Sequence, residues 1–87
     1  MVIVKGSAVW SRAGRDKGRF FAVIDLEPGF ALVADGDLRK LDKPKRKNLR
    51  HLGGTNTVFT SEEMQSDKML YSAISAKFYS ATPSRED

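Results

Sequence analysis

The feature that most limits the fold of this chain is a run, Phe20-Phe-Ala-Val-Ile-Asp-Leu26, that is apolar at nearly every position. A strand lying half-buried on a sheet alternates apolar with polar residues, so one that is apolar throughout needs cover on both faces. One face is expected to pack on a core, and the C-terminal segment is the candidate cover for the other. Upstream, Val9 and Ser11 alternate with Ala8, Trp10 and Arg12 at strand period, and Ala13-Gly-Arg-Asp-Lys-Gly18 separates the two stretches. The whole of Gly6 to Val23 therefore reads as a β-hairpin with a basic turn. Gly14 and Gly18 bracket that turn, where a residue without Cβ takes positive φ and lets a ligand backbone come close. Arg12, Arg15, Lys17 and Arg19 surround it with positive charge.

The remaining punctuation is that of a small β domain. Val2 to Lys5 reads as a short lead-in strand broken by Gly6-Ser7. Glu27-Pro28-Gly29 has turn chemistry, with proline pre-set for the second turn position and glycine for the third. Phe30 to Ala34 is the next strand. Asp35-Gly36 is the strongest short hairpin signal in the chain, and Asp37 to Leu41 is expected to return as a fourth strand. Asp42-Lys-Pro44 interrupts it, because proline donates nothing to a ladder. In the segment from Lys45 to Leu52, Leu49 and Leu52 are spaced for one turn of 3₁₀ helix or a short closing strand, and Gly53-Gly54 ends it. Thr55 to Phe59 fits either an extended connection or a last short strand. Thr60-Ser-Glu-Glu63 has the form of a capping box. Met64, Leu70, Tyr71, Ile74, Phe78 and Ala81 then share a helical stripe, predicting a helix from Ser61 to about Tyr79 that ends before Pro83, with Ser84 to Asp87 frayed.

Composition narrows the class. A chain of 87 residues is short enough for one core. It has no cysteine, which excludes a disulfide framework and thiol chemistry and makes the cytoplasm the default compartment. The opening Met-Val-Ile-Val is interrupted by Lys5 and is too short for a signal-peptide core, so no targeting segment is expected. The net charge of +4 is unevenly placed: residues 1–53 carry twelve bases against six acids, and the remainder carries three bases against five acids. A basic β half with an acidic tail is the distribution expected of a domain that meets a polyanion.

The spacing Gly6-x-x-Val9, Gly14-x-x-Lys17-Gly18, then Val23, resembles the KOW motif of an SH3-like β-barrel family found in ribosomal proteins and transcription elongation factors. The longer runs AGRDKGRFF and ADGDLRKLDKPKRKNLRHL resemble a narrower group, small bacterial KOW-domain RNA-binding proteins akin to a large-subunit ribosomal protein of archaea and eukaryotes. The similarity covers Val2 to about Thr57. Two positions depart from the general pattern: Ser11 stands where valine or isoleucine is usual, and Phe21 where a small residue is usual. The resemblance implies a mainly β protein, a small SH3-like KOW barrel over residues 1–57, with an appended C-terminal α-helix and frayed tail over residues 58–87. It also implies RNA, in particular ribosomal RNA, as the partner.

The run from Arg39 to Arg50 holds seven bases and one acid, Asp42. It reads either as a charged sheet edge that blocks aggregation or as part of a nucleic-acid footprint, and its proximity to a second basic loop favours the footprint. The candidate RNA-binding set is Arg12, Arg15, Lys17, Arg19, Arg39, Lys40, Lys43, Lys45, Arg46, Lys47 and Arg50, with Trp10 as a packing residue beside Arg12 that is also placed to stack a base. The two basic segments are expected to form one continuous face. Phe20, Phe21 and Phe30 read as core or helix-docking residues, and Asp16, Asp35 and Asp37 as turn residues. His51 is the only histidine and has no cysteine or carboxylate cluster with it, so no metal site is expected. No nucleophile with a base and an orienting group can be assembled, and Gly14 to Gly18 lacks the Lys-Ser/Thr step of a phosphate-binding loop. The expectation is a cofactor-free binding protein, not an enzyme, and a monomer when free. The alternative is a protein-interaction module docking a ribosomal or transcription partner through its C-terminal helix.

Overall fold

The computed structural model describes residues 2–79. Five strands form one antiparallel sheet: β1 (Ser7–Ser11), β2 (Phe20–Glu27), β3 (Phe30–Ala34), β4 (Lys45–Asn48) and β5 (Leu52–Val58). Their order is β4-β3-β2-β1-β5, so the last strand returns to lie beside the first. A 3₁₀ turn, Leu49–His51, links β4 to β5, and α1 (Asp67–Ile74) follows, continued by a π-helical turn, Ser75–Tyr79. Among the described residues no helix is long and apolar enough to cross a membrane.

The uniformly apolar β2 lies between two cores. Phe21 and Val23 pack on one face with Val9, Ala31, Val33 and Leu52. Ala22 faces the other side with Ala8, Ala34, Phe59, Leu70 and Ile74. Ala8, Ala22 and Ala34 are register partners across β1, β2 and β3, forming a shallow row on which α1 lies. The buried Leu70 and Ile74 of α1 each contribute about 1.5–3 kcal/mol there. Phe78 extends the contact, its ring stacked on Phe20 at 4.1 Å between centroids, and Tyr79 accepts the Phe20 amide through its hydroxyl at 2.9 Å. The sheet bends at two irregularities. β2 gains a residue at Ile24 relative to β3, and β5 gains residues between Gly54 and Val58, where the Thr55 hydroxyl donates to the Ala8 carbonyl at 2.7 Å.

Several sequence expectations are corrected. Val2 to Lys5 is no strand; the Ser7 hydroxyl accepts the Val4 amide at 2.9 Å and closes a turn instead. Asp37 to Leu41 is no strand either, and the fourth strand begins at Lys45. The reason is Asp35, whose carboxylate accepts the amides of Asp37 and Arg39, both at 2.9 Å, curling the chain into a side-chain-closed loop. Gly53 and Gly54 belong to β5 instead of ending a segment. A Cβ at Gly53 would fall inside the Trp10 indole, so the glycine is needed for space. The Thr60/Glu63 capping box forms reciprocally, at 2.9 and 3.1 Å, but it closes one isolated turn. The helix starts later because Ser66 is extended and its side chain caps Met69. Ala81, Pro83 and the tail from Ser84 lie outside the described residues.

Gly36 ties the 35–44 loop to the helix. It has φ +79°, and a Cβ there would collide with the Asp67 carbonyl of α1. Beside it the Leu41 amide donates to the Asp67 carboxylate at 2.8 Å. Gly36→Ala therefore adds a backbone clash to left-handed strain, whereas Gly14→Ala, at φ +81° with open space around it, adds the strain alone. The expected losses by urea denaturation are about 3 kcal/mol or more at Gly36 against about 1 kcal/mol at Gly14; equal losses would mean that the loop does not rest on the helix.

Candidate nucleic-acid interface

The turn between β1 and β2 and the loop between β3 and β4 are joined by two crossed arginine–aspartate pairs. Arg19 of the first reaches Asp35 of the second at 3.1 Å and Asp37 at 3.4 Å. Arg39 of the second reaches back to Asp16 of the first at 3.2 Å. The Asp35 and Asp16 carboxylates are only 4% and 7% exposed, which makes these pairs interior fasteners and not surface salt bridges. Burial disfavours the charged Arg19 guanidinium, but the hydrogen bond and charge of Asp35, with Tyr79 and Asp37 adding to them, hold its pKa above the ordinary arginine value.

Strand alternation then divides the basic run of β4. Lys45 and Lys47 stand opposite Val33 and Ala31 and so share the face of the inner core, while Arg46 stands opposite Leu32 on the other face. Lys47 is 9% exposed, and its ammonium donates to the Ser11 hydroxyl at 2.9 Å and lies 3.8 Å from Asp16. Ser11, fully buried, in turn donates to the Ala13 carbonyl at 2.8 Å. A serine rather than an apolar residue stands there because a lysine enters that end of the core. Phe21 fills the centre of that core. Arg46 instead covers the Phe30 ring, its guanidinium carbon 3.7 Å from the centroid, and binds Glu27 at 2.9 Å.

The candidate residues thus fall into groups. Arg19, Arg39, Lys47 and Arg46 are engaged by carboxylates within the protein. Arg12, Arg15, Lys17, Lys40, Lys43, Lys45 and Arg50 are exposed, and none of them forms an ion pair among the described residues. The two basic segments meet at a cleft of about 270 Å³ lined by Ala13, Gly14, Arg15, Asp16, Arg39, Lys45, Lys47 and His51. Arg12 and Arg50 flank it, since the Arg12 amide donates to the His51 carbonyl at 2.7 Å. Gly14 and Gly18 have φ of +81° and +89°, the left-handed geometry expected of the turn. Lys40 and Lys43 lie outside the cleft, on the part of the loop fastened to Asp67 through Leu41. Trp10 is 37% exposed and rests over Gly53, with the Arg12 guanidinium 5.9 Å from its ring.

Sequence reasoning missed Ser11 and Asp16 as structural parts of this site. A serine at an inward strand position, in a chain that also has a basic strand, is the signal that points to such a pairing. Among the described residues no group of three or more His, Asp or Glu side chains is placed to hold a metal ion. Comparison with protein-family models and with curated proteins finds no match to this chain.

Removing the Asp16 carboxylate leaves Lys47 buried without a counter-charge and Arg39 released. Asp16→Ala is expected to cost about 3 kcal/mol, whereas Asp37→Ala, whose side chain is 49% exposed, is expected to cost under about 1 kcal/mol. Urea midpoints of the two variants decide it, and a cost at Asp16 no larger than at Asp37 contradicts the interior fastener.

Proposed function

We propose that this chain is a KOW-type RNA-binding protein, its five-stranded sheet the SH3-like barrel of that group, and that it contacts structured RNA of the ribosome mainly through phosphates. The observation that carries the reading is the convergence of two basic segments, distant in sequence, on one cleft with exposed bases around it that no carboxylate among the described residues engages. Concentrated positive charge raises the encounter rate with a polyanion, whereas the same charges scattered over the surface are screened beyond about 8 Å at physiological salt. The sheet is open, with β4 and β5 as its two edges, so the barrel assignment rests on the sequence resemblance, and the 3₁₀ turn between β4 and β5 is compatible with it.

Arg12, Arg15 and Arg50 supply directional, bidentate contacts, and Lys17, Lys40, Lys43 and Lys45 supply charge without fixed geometry. Arg19, Arg39 and Lys47 act through the loops they hold. Sequence preference follows from RNA shape and from an unpaired base against the open part of the Trp10 ring, because side chains do not read the narrow major groove of A-form RNA. The reading is of a binding protein with no catalytic step. The apolar face of α1 packs on the sheet through Leu70 and Ile74, which favours the RNA reading over partner docking through that face.

With about four to six phosphates neutralised, the logarithm of affinity for a ribosomal RNA fragment should fall against the logarithm of salt with a slope of roughly −3 to −5. Arg12→Ala and Arg50→Ala should each flatten that slope by about one and leave the urea midpoint unchanged. An affinity indifferent to salt would falsify the electrostatic mechanism.

A further inference from the structure

The cleft between the two loops holds more positive charge than its own carboxylate balances. Arg15, Arg39, Lys45 and Lys47 line it against Asp16 alone, and Asp16 is already engaged by Arg39 at 3.2 Å and approached by Lys47 at 3.8 Å. Arg15 and Lys45 are exposed on its walls. The Gly14 side presents only backbone, with no atom within 4 Å of where a Cβ would stand. A concave surface lined by one sign of charge focuses its field, which favours an anion inside over one on the open surface. The volume of about 270 Å³ lies just under the roughly 300–1,000 Å³ of pockets that take drug-sized molecules. It takes a tetrahedral anion together with several of the atoms attached to it.

From this we infer that the cleft is a preformed site for one phosphate group, gripped by the Arg15 fork and the Lys45 ammonium, with His51 at its edge. Arg39 and Lys47 supply the standing positive field from the floor, held in place by Asp16 and Ser11. Arginine matches two phosphate oxygens through parallel N–H groups, and lysine adds a compact point charge. The inference rests on the reading of this face as an RNA-binding one and deepens it, by singling out one phosphate of the RNA for a fixed pocket while the others meet mobile surface side chains. That phosphate is either the terminal monoester of an RNA end or an internal phosphodiester.

The test uses the full chain titrated with inorganic phosphate at an ionic strength held constant with sodium chloride, read by the nuclear magnetic resonance signals of the His51 ring and the Arg15 side chain. Both should shift saturably. Lys45→Ala should weaken phosphate binding about tenfold, and Arg46→Ala, the next residue but on the opposite face of β4, should leave it unchanged. The two variants remove the same charge, so equal losses would show that only the general field of the protein is sensed and would overturn the site. Oligoribonucleotides identical except for a 5′-phosphate then identify the source. Tighter binding of the phosphorylated form, with the His51 shift, assigns the cleft to an RNA end; equal binding with the same shift assigns it to an internal phosphodiester. Absence of any His51 or Arg15 shift with phosphate and with RNA overturns the pocket, and if RNA still binds, the broader RNA-binding reading stands without it. Saturable phosphate binding by a protein that ignores RNA would keep the pocket and remove that broader reading.

Discussion

The exchange of arginines between two loops is the interaction on which the arrangement of this surface depends. Arg19 leaves the first turn for Asp35, and Arg39 leaves the second loop for Asp16, so neither loop is complete without the other. A basic cluster repels itself, and bringing two such segments together needs buried negative charge between them. Asp16 and Asp35 supply it from below, and the exposed bases are left facing outward. Removing the Asp16 carboxylate strands Lys47, 9% exposed, in a poorly solvated place, a larger penalty than breaking a surface pair, whereas Arg19 keeps Asp37 when Asp35 is removed.

The same exchange explains why alternation on β4 matters. Lys47 turns inward to the polar end of the core, where Ser11 and Asp16 receive it, and Arg46 turns outward onto Phe30 and Glu27. Adjacent bases of one run thereby serve different ends: one is part of the fold, and another covers an aromatic ring. A charge run on a strand is two half-runs on two faces, and only one of them faces the cleft.

Much of the fold was legible in the residues, and the misreadings have physical causes. The double cover of β2 followed from its unbroken apolar run, and the Pro28-Gly29 turn from its chemistry, because both are local properties. Asp35-Gly36 misled because the dipeptide that makes a tight hairpin also makes a carboxylate-capped loop, and the choice was decided by Arg19 and by contact of Gly36 with α1. Gly53-Gly54 looked like a terminator because the indole over Gly53 comes from β1, far away in sequence. The helix start was displaced because Thr60 and Glu63 satisfy each other in a turn that goes no further, and Ser66 begins again. As for the site, the meeting of the two basic segments was foreseeable from the barrel geometry the resemblance implies, but the pairing of arginines with particular aspartates was not, since it depends on distances between loops.

The row formed by Ala8, Ala22 and Ala34 has a consequence for the order in which the chain matures. All five strands precede Leu70, Ile74 and Phe78 in the chain, so until the helix docks the outer face of the sheet is uncovered. During that interval the middle of the waiting face presents methyl groups, with Phe20 and Ile24 toward its margin, and not a field of large aliphatic side chains. A nascent sheet with such a shallow face offers little for another incomplete chain to grip, so the late arrival of its cover carries a small risk of misassembly.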